Sequence, residues 1–101
     1  MQYSGTPAYM APELFQKRLY DETVDIYAYG ALLWELVARE VPFDGLDVAD
    51  IRAKVEKGEN FKIPYGTDPR IAQLIQDCRS LNPADRPSFQ EITEILKYIV
   101  K

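Results

Sequence analysis

The feature that most constrains the fold is the segment from Thr23 to Arg39, TVDIYAYGALLWELVAR, which is apolar on nearly every side of a helix. Its apolar residues are Val24, Ile26, Tyr27, Ala28, Tyr29, Ala31, Leu32, Leu33, Trp34, Leu36, Val37 and Ala38. A helix that is apolar all round belongs in the interior of a protein or in a membrane. The run is short for a bilayer and contains Asp25 and Glu35, so the sequence predicts a central buried helix.

The rest of the sequence predicts a loop and shorter helices. Residues 1–12 indicate a loop, followed by a short helix that begins at Pro12 and Glu13 and ends near Phe15. Three more helices are predicted. The first is capped by Asp47 and ends at Gly58, and the second begins at Asp68 and Pro69 and ends at the segment LNPADRP. The last begins with a capping box formed by Ser88 and Glu91. Because no segment alternates over strand lengths, the predicted fold class is all-α.

Composition excludes several classes of function. The chain has no histidine and one cysteine, which excludes an internal disulfide and catalysis by a Ser-His or Cys-His pair, and we predict no metal site. A formal net charge of −4 without a basic patch argues against nucleic-acid binding and anionic membranes. No signal peptide or membrane span is visible, so we expect a cytoplasmic protein.

Three motifs together resemble one family. GTPAYMAPE is similar to the end of the activation segment of eukaryotic protein kinases, including their Ala-Pro-Glu signature. DIYAYGALLWEL resembles the start of the large central helix of the kinase C-lobe, and LIQDCRSLNPADRPSFQEI resembles the final kinase motif. The pattern is most similar to tyrosine-kinase-like serine/threonine kinases. Arg79 is a departure, because many relatives have Trp there, and we expect it to lose a packing residue.

The resemblance implies a buried ion pair between Glu13 and Arg86, which would tie the first helix to the last loop. Arginine offers a planar fork that matches a carboxylate. Without the motif, the alternative would be two unrelated surface charges.

The resemblance also implies a substrate-facing loop. Thr6 would contact the catalytic Asp and Lys, and Tyr3, Pro7 and Met10 would form the pocket for the substrate residue after the phosphorylated one. For Met10 the alternative is plain packing. Tyr3 and Ser4 are possible phosphorylation sites because they lie on the activation segment.

Further implied roles fall on the central helix. Tyr9 would hydrogen bond to Glu35, with plain packing as its alternative. Asp25 would accept hydrogen bonds from the catalytic loop, or act as a favourable partner of the helix dipole. Leu32 and Leu36 would anchor the side-chain stack beneath the ATP site, or serve as ordinary core leucines.

The catalytic signatures of a kinase do not occur in these 101 residues. G-x-G-x-x-G, V-A-I-K, H-R-D and D-F-G supply ATP binding and phosphoryl transfer, and none is present. We therefore expect residues 1–101 to form a partial kinase domain without the N-lobe or catalytic loop, and its status as an enzyme stays open. ATP and Mg²⁺ are expected only in the intact parent domain.

Two functions remain open. The first is the C-lobe part of a serine/threonine kinase that contributes the substrate-facing loop and scaffold but no catalytic residue. The second is a non-catalytic, kinase-derived interaction module. Expected partners are protein substrates or a chain that covers the central helix. The apolar surface of that helix is expected to be exposed in part, which predicts marginal stability or self-association of the chain.

Overall fold

The computed structural model describes residues 6–59 and 61–99, which form five α-helices and two short 3₁₀ helices. The α-helices are α1 (Pro12–Phe15), α2 (Thr23–Ala38), α3 (Val48–Glu56), α4 (Pro69–Cys78) and α5 (Phe89–Ile99). The 3₁₀ helices are Pro7–Tyr9 and Pro83–Asp85, inside segments that the sequence predicted as loops. Within the described ranges there is no strand, so the all-α prediction is confirmed.

The starts of three helices follow from side-chain capping, as predicted. Asp47 accepts a hydrogen bond from the Asp50 amide at 2.9 Å, and Asp68 accepts from the Arg70 amide at 2.8 Å. Ser88 and Glu91 form a reciprocal capping box, with both bonds at 3.1 Å. Each cap satisfies an amide that the first helical turn leaves without an intrahelical partner.

The helix α2 ends at Ala38, one residue before the predicted end. Arg39 takes a left-handed conformation with φ of 56° and closes the helix by donating its amide to the Glu35 carbonyl at 2.8 Å. A left-handed residue is the usual way to terminate a helix, although glycine adopts it at lower cost. The end of α3 is as predicted, with Gly58 at φ of 73° just beyond it.

Two hydrophobic clusters lie against α2. The first joins α2 to α4 and α5 and contains Ile26, Leu33, Trp34, Leu74, Ile75, Cys78 and Ile92. The second joins α2 to α1 and α3 and contains Ala11, Phe15, Val24, Tyr27, Ile51 and Val55. The helix α2 is thus the central element, as the sequence predicted.

Gly30 permits a close approach of α2 and α4. A Cβ at this position would lie 2.8 Å from the Cβ of Cys78 and 2.9 Å from the Cγ of Arg79. Carbon atoms do not pack at these distances, so any side chain at position 30 would push the two helices apart.

A third side of α2 lacks cover from the described residues. Leu32 is 45 % exposed and Leu36 is 67 % exposed, so the alternative that these are ordinary core leucines is wrong.

Among the helices in residues 6–59 and 61–99, none combines the length and the apolar character that a membrane span requires.

Candidate functional site

The segment that contains the candidate substrate-facing residues is a short, defined turn. The Tyr9 amide donates to the Thr6 carbonyl at 3.0 Å, and the Met10 amide donates to the Pro7 carbonyl at 3.2 Å. Thr6 is exposed, whereas Pro7 and Met10 are half-buried. The geometry therefore leaves Thr6 accessible to other molecules. Tyr3 and Ser4, the candidate phosphorylation sites, lie outside the described residues.

A side-chain hydrogen bond holds this turn against α2. The hydroxyl of Tyr9 donates to a carboxylate oxygen of Glu35, 26 positions away. This hydrogen bond to Glu35, with a smaller contribution from burial, raises the pKa of the Tyr9 hydroxyl. The structure thus brings together the two residues that the resemblance paired.

Glu13 and Arg86 form a buried, bidentate ion pair. Arg86 donates to the two carboxylate oxygens of Glu13 at 2.8 and 3.0 Å, and both side chains are almost fully buried. The alternative of two unrelated surface charges is excluded by this geometry. Because the partners are 73 positions apart, the pair fixes the end of the candidate substrate-facing loop to the segment before α5.

Arg86 also binds three backbone carbonyls, one at the start of α2 and two in the segment that follows α4. It donates to Thr23 at 3.1 Å, to Ser80 at 2.9 Å and to Leu81 at 3.4 Å. Its guanidinium carbon lies 5.0 Å from the centre of the Tyr27 ring. The buried charge is therefore surrounded by acceptors, which is the condition under which burying an ion is tolerated.

A groove lies beside the turn and along the uncovered side of α2. Its volume is about 440 Å³, and it is lined by Thr6, Tyr9, Asp25, Ala28, Tyr29, Leu32 and Phe89. Asp25 is exposed at its edge. Leu36 lines a different groove, formed with the segment before α4. The first groove brings one face of the turn, one carboxylate and an apolar helix surface together.

The expectation that Arg79 costs the chain a packing residue is wrong. Arg79 is only 7 % exposed and donates to the Tyr27 hydroxyl at 2.9 Å. Its guanidinium carbon lies 3.8 Å from the centre of the Phe61 ring. Desolvation lowers the pKa of Arg79, opposed by the contact with Tyr27. Sequence reasoning noticed the unusual arginine but had no pattern that reported its aromatic neighbours.

No group of three or more His, Cys, Asp or Glu side chains is arranged to hold a metal ion in the part of the chain that the structure describes.

A comparison with family models decides the family. The model "Protein tyrosine and serine/threonine kinase" matches residues 2–96, nearly the whole chain. The chain belongs to the protein kinase family. The α-helical architecture is consistent with part of the kinase C-lobe, as the motifs predicted.

Similar proteins are serine/threonine kinases by name. A probable LIM domain-containing serine/threonine-protein kinase of Dictyostelium discoideum is 44 % identical over 94 % of this chain. Serine/threonine/tyrosine-protein kinase HT1 and serine/threonine-protein kinase CTR1 of Arabidopsis thaliana are 39 % and 35 % identical over 92 % and 97 % of it. The chain spans 15 %, 24 % and 12 % of the lengths of these three relatives. The predicted similarity to serine/threonine kinases of the tyrosine-kinase-like group is confirmed.

Proposed function

We propose that this chain is the substrate-facing and scaffolding part of a serine/threonine protein kinase C-lobe. The parent reaction is transfer of the γ-phosphate of ATP to serine or threonine hydroxyls of proteins. ATP and Mg²⁺ bind elsewhere in the parent domain, and this chain supplies no catalytic residue. The parent protein acts in the cytoplasm.

The observation that carries the proposal is the double attachment of the turn at residues 6–13. Its middle is held to α2 by the bond from Tyr9 to Glu35, and its end is held by the ion pair of Glu13 with Arg86. A loop fixed at two points presents Thr6, Pro7 and Met10 in one orientation, and such preorganisation lowers the entropic cost of binding a substrate.

The apolar groove beside this turn is a second surface that, in the same proposal, is covered by another part of the parent protein. In the parent domain, the catalytic loop covers Asp25 and the exposed side of α2 around Leu32. The alternative function, a non-catalytic interaction module, uses the same surface to bind a separate protein chain. The exposure of Leu32 and Leu36 favours a covering partner in either case.

Peptide binding tests the substrate-facing role. Two fluorescent serine peptides differ only in the residue after serine, which is leucine in one and aspartate in the other. Fluorescence anisotropy should show tighter binding of the leucine peptide, because the pocket proposed around Pro7 and Met10 would be apolar. Met10→Lys should reverse this preference. Val48→Lys, at an exposed apolar position on α3, is the matched control and should leave it unchanged.

Equal binding of both peptides by the wild-type chain would contradict the substrate-facing role.

A second titration tests the proposal that this chain does not bind ATP. Calorimetry with Mg-ATP should show no heat of binding to this chain, and a dissociation constant in the micromolar range would contradict the assignment of ATP binding to other parts of the domain.

A further inference from the structure

Arg79, the residue that follows α4, is held among aromatic side chains. Its guanidinium lies 3.8 Å from the centre of the Phe61 ring and 5.0 Å from that of Tyr27. It also donates to the Tyr27 hydroxyl at 2.9 Å and to the Glu59 carbonyl at 3.5 Å. Arg79 therefore contacts α2 and the connector between α3 and α4 at the same time.

The chemistry of these contacts is specific to arginine. Among the described residues no carboxylate forms an ion pair with Arg79, so its charge is balanced by ring faces and neutral oxygens. A planar guanidinium can stack on one ring while its edge donates to a hydroxyl and a carbonyl. A lysine ammonium is a compact charge that cannot stack in this way, and leucine offers neither charge nor donors.

Contacts of Phe61 link the connector between α3 and α4 to the hydrophobic cluster that joins α2 to α1 and α3. Phe61 stacks on Trp34 with ring centres 4.4 Å apart, and the Trp34 indole donates to the Lys62 carbonyl at 3.0 Å. The Phe61 ring centre also lies 5.0 Å from that of Phe43. Phe43 and Met10 both pack on the cluster that contains Ile51 and Val55 of α3.

We propose that Arg79 is a positioning residue that clamps the connector between α3 and α4 and, through Phe61 and Phe43, sets the packing of the turn that carries Met10. The part of this inference that concerns substrate rests on the proposed function. The clamp itself concerns only contacts within the chain, so it is tested without substrate or nucleotide.

Hydrogen exchange of the full chain tests the clamp. Arg79→Leu should raise the exchange rates of amides in residues 57–59 and 61–63 about tenfold relative to those of α5, since a desolvated cation–π contact is lost. Arg79→Lys should restore only part of the protection. Tyr27→Phe removes a single acceptor, and it should give a smaller change of the same sign. Arg70→Leu removes an exposed arginine from the first turn of α4, and it should leave these amides unchanged.

Two spectroscopic signals report how far the restraint extends. Trp34 is the only tryptophan, so its emission should shift to longer wavelength in Arg79→Leu as the Phe61 stack loosens. Met10 is one of two methionines, and its ¹³C-methyl resonance should move in the same variant. Unchanged exchange in the connector, or an equal rise throughout the chain, would overturn the clamp.

The two parts of the inference fail separately. A moved Trp34 signal with an unmoved Met10 methyl resonance would overturn the link to the turn. None of these readouts depends on the peptide titrations, so a failure of the proposed function there would leave the exchange result standing on its own.

Discussion

The carboxylate of Glu13 and the guanidinium of Arg86 meet through two hydrogen bonds, of 2.8 and 3.0 Å, although 73 positions separate them in the chain. This contact joins α1 to the segment before α5, and both side chains are shielded from water. Ion pairs of this kind are sensitive to the loss of one partner, because the remaining charge is then buried alone.

Arg86→Ala should lower the free energy of unfolding by about 3–5 kcal/mol, a large part of the stability of a small domain. Urea denaturation followed by circular dichroism measures the change. Arg52→Ala breaks the exposed pair with Glu56, and this control should cost less than about 1 kcal/mol. Similar costs for the two variants would contradict the burial of the Glu13–Arg86 pair.

Gly30→Ala should destabilise the chain by about 1–3 kcal/mol, even though alanine favours helix formation. The added Cβ would lie 2.8 Å from Cys78 Cβ, so α2 and α4 must separate. Thermal unfolding measures the effect. Ala28→Gly, on the same helix, is the control for helix propensity alone and should cost about 1 kcal/mol. A stabilised Gly30→Ala chain would exclude the close helix contact.

Cys78 should be unreactive toward thiol reagents in the folded chain. Burial, assisted by the nearby Asp77 charge, raises the pKa of the thiol to about 12, whereas an unfolded thiol titrates near 8.5. The folded state therefore holds this proton more tightly. Its contribution to stability is complete below about pH 8.5 and is lost as the pH rises toward 12.

Labelling with a chromogenic disulfide at pH 8 checks the prediction for Cys78. We expect slow reaction in buffer and rapid reaction in concentrated urea. In alkaline solution, Cys78→Ala should show a weaker loss of stability than the wild-type chain. Rapid labelling of the folded chain would mean that Cys78 is accessible, contrary to its burial against α2.

The exposed side of α2 should cause self-association of the isolated chain. Leu36 is 67 % exposed and Leu32 is 45 % exposed, and Leu32 also lines an apolar groove. Leu32→Gln with Leu36→Gln should reduce the apparent mass in sedimentation velocity runs and lower the binding of a hydrophobic dye. A wild-type chain that stays monomeric and melts cooperatively well above 50 °C would refute this prediction.

Much of this fold follows from local sequence signals. The helix caps at Asp47, Asp68 and Ser88 could be predicted because each side chain bonds to an amide two or three residues further along the chain. The apolar run from Thr23 to Arg39 predicts the central position of α2. The pair of Glu13 and Arg86 came from a family resemblance, since nothing local links residues so far apart. The sequence predicted an exposed apolar surface on α2, but it could not show that Leu32 and Leu36 lie there, because the burial of each residue depends on which other elements pack against it.

Arg79 shows where sequence reasoning fails. A charged residue in place of an aromatic one suggested lost packing, yet its guanidinium is flat enough to stack on Phe61. The contact depends on the path of the connector after α3, which no periodicity specifies. Tyr27 was predicted only as an apolar position, and its hydroxyl becomes the acceptor for this arginine in the folded chain.

A transplant into a related kinase tests the central claim most directly. In this chimera, the matching 95 residues of the Dictyostelium LIM domain-containing relative are replaced by those of this chain. Phosphate transfer from labelled ATP to serine, threonine and tyrosine peptides is then measured for the chimera and for the unmodified relative. We predict a folded chimera that phosphorylates serine or threonine peptides and loses this activity on Glu13→Ala. A folded chimera that transfers no phosphate to them, beside an active relative, would contradict the account.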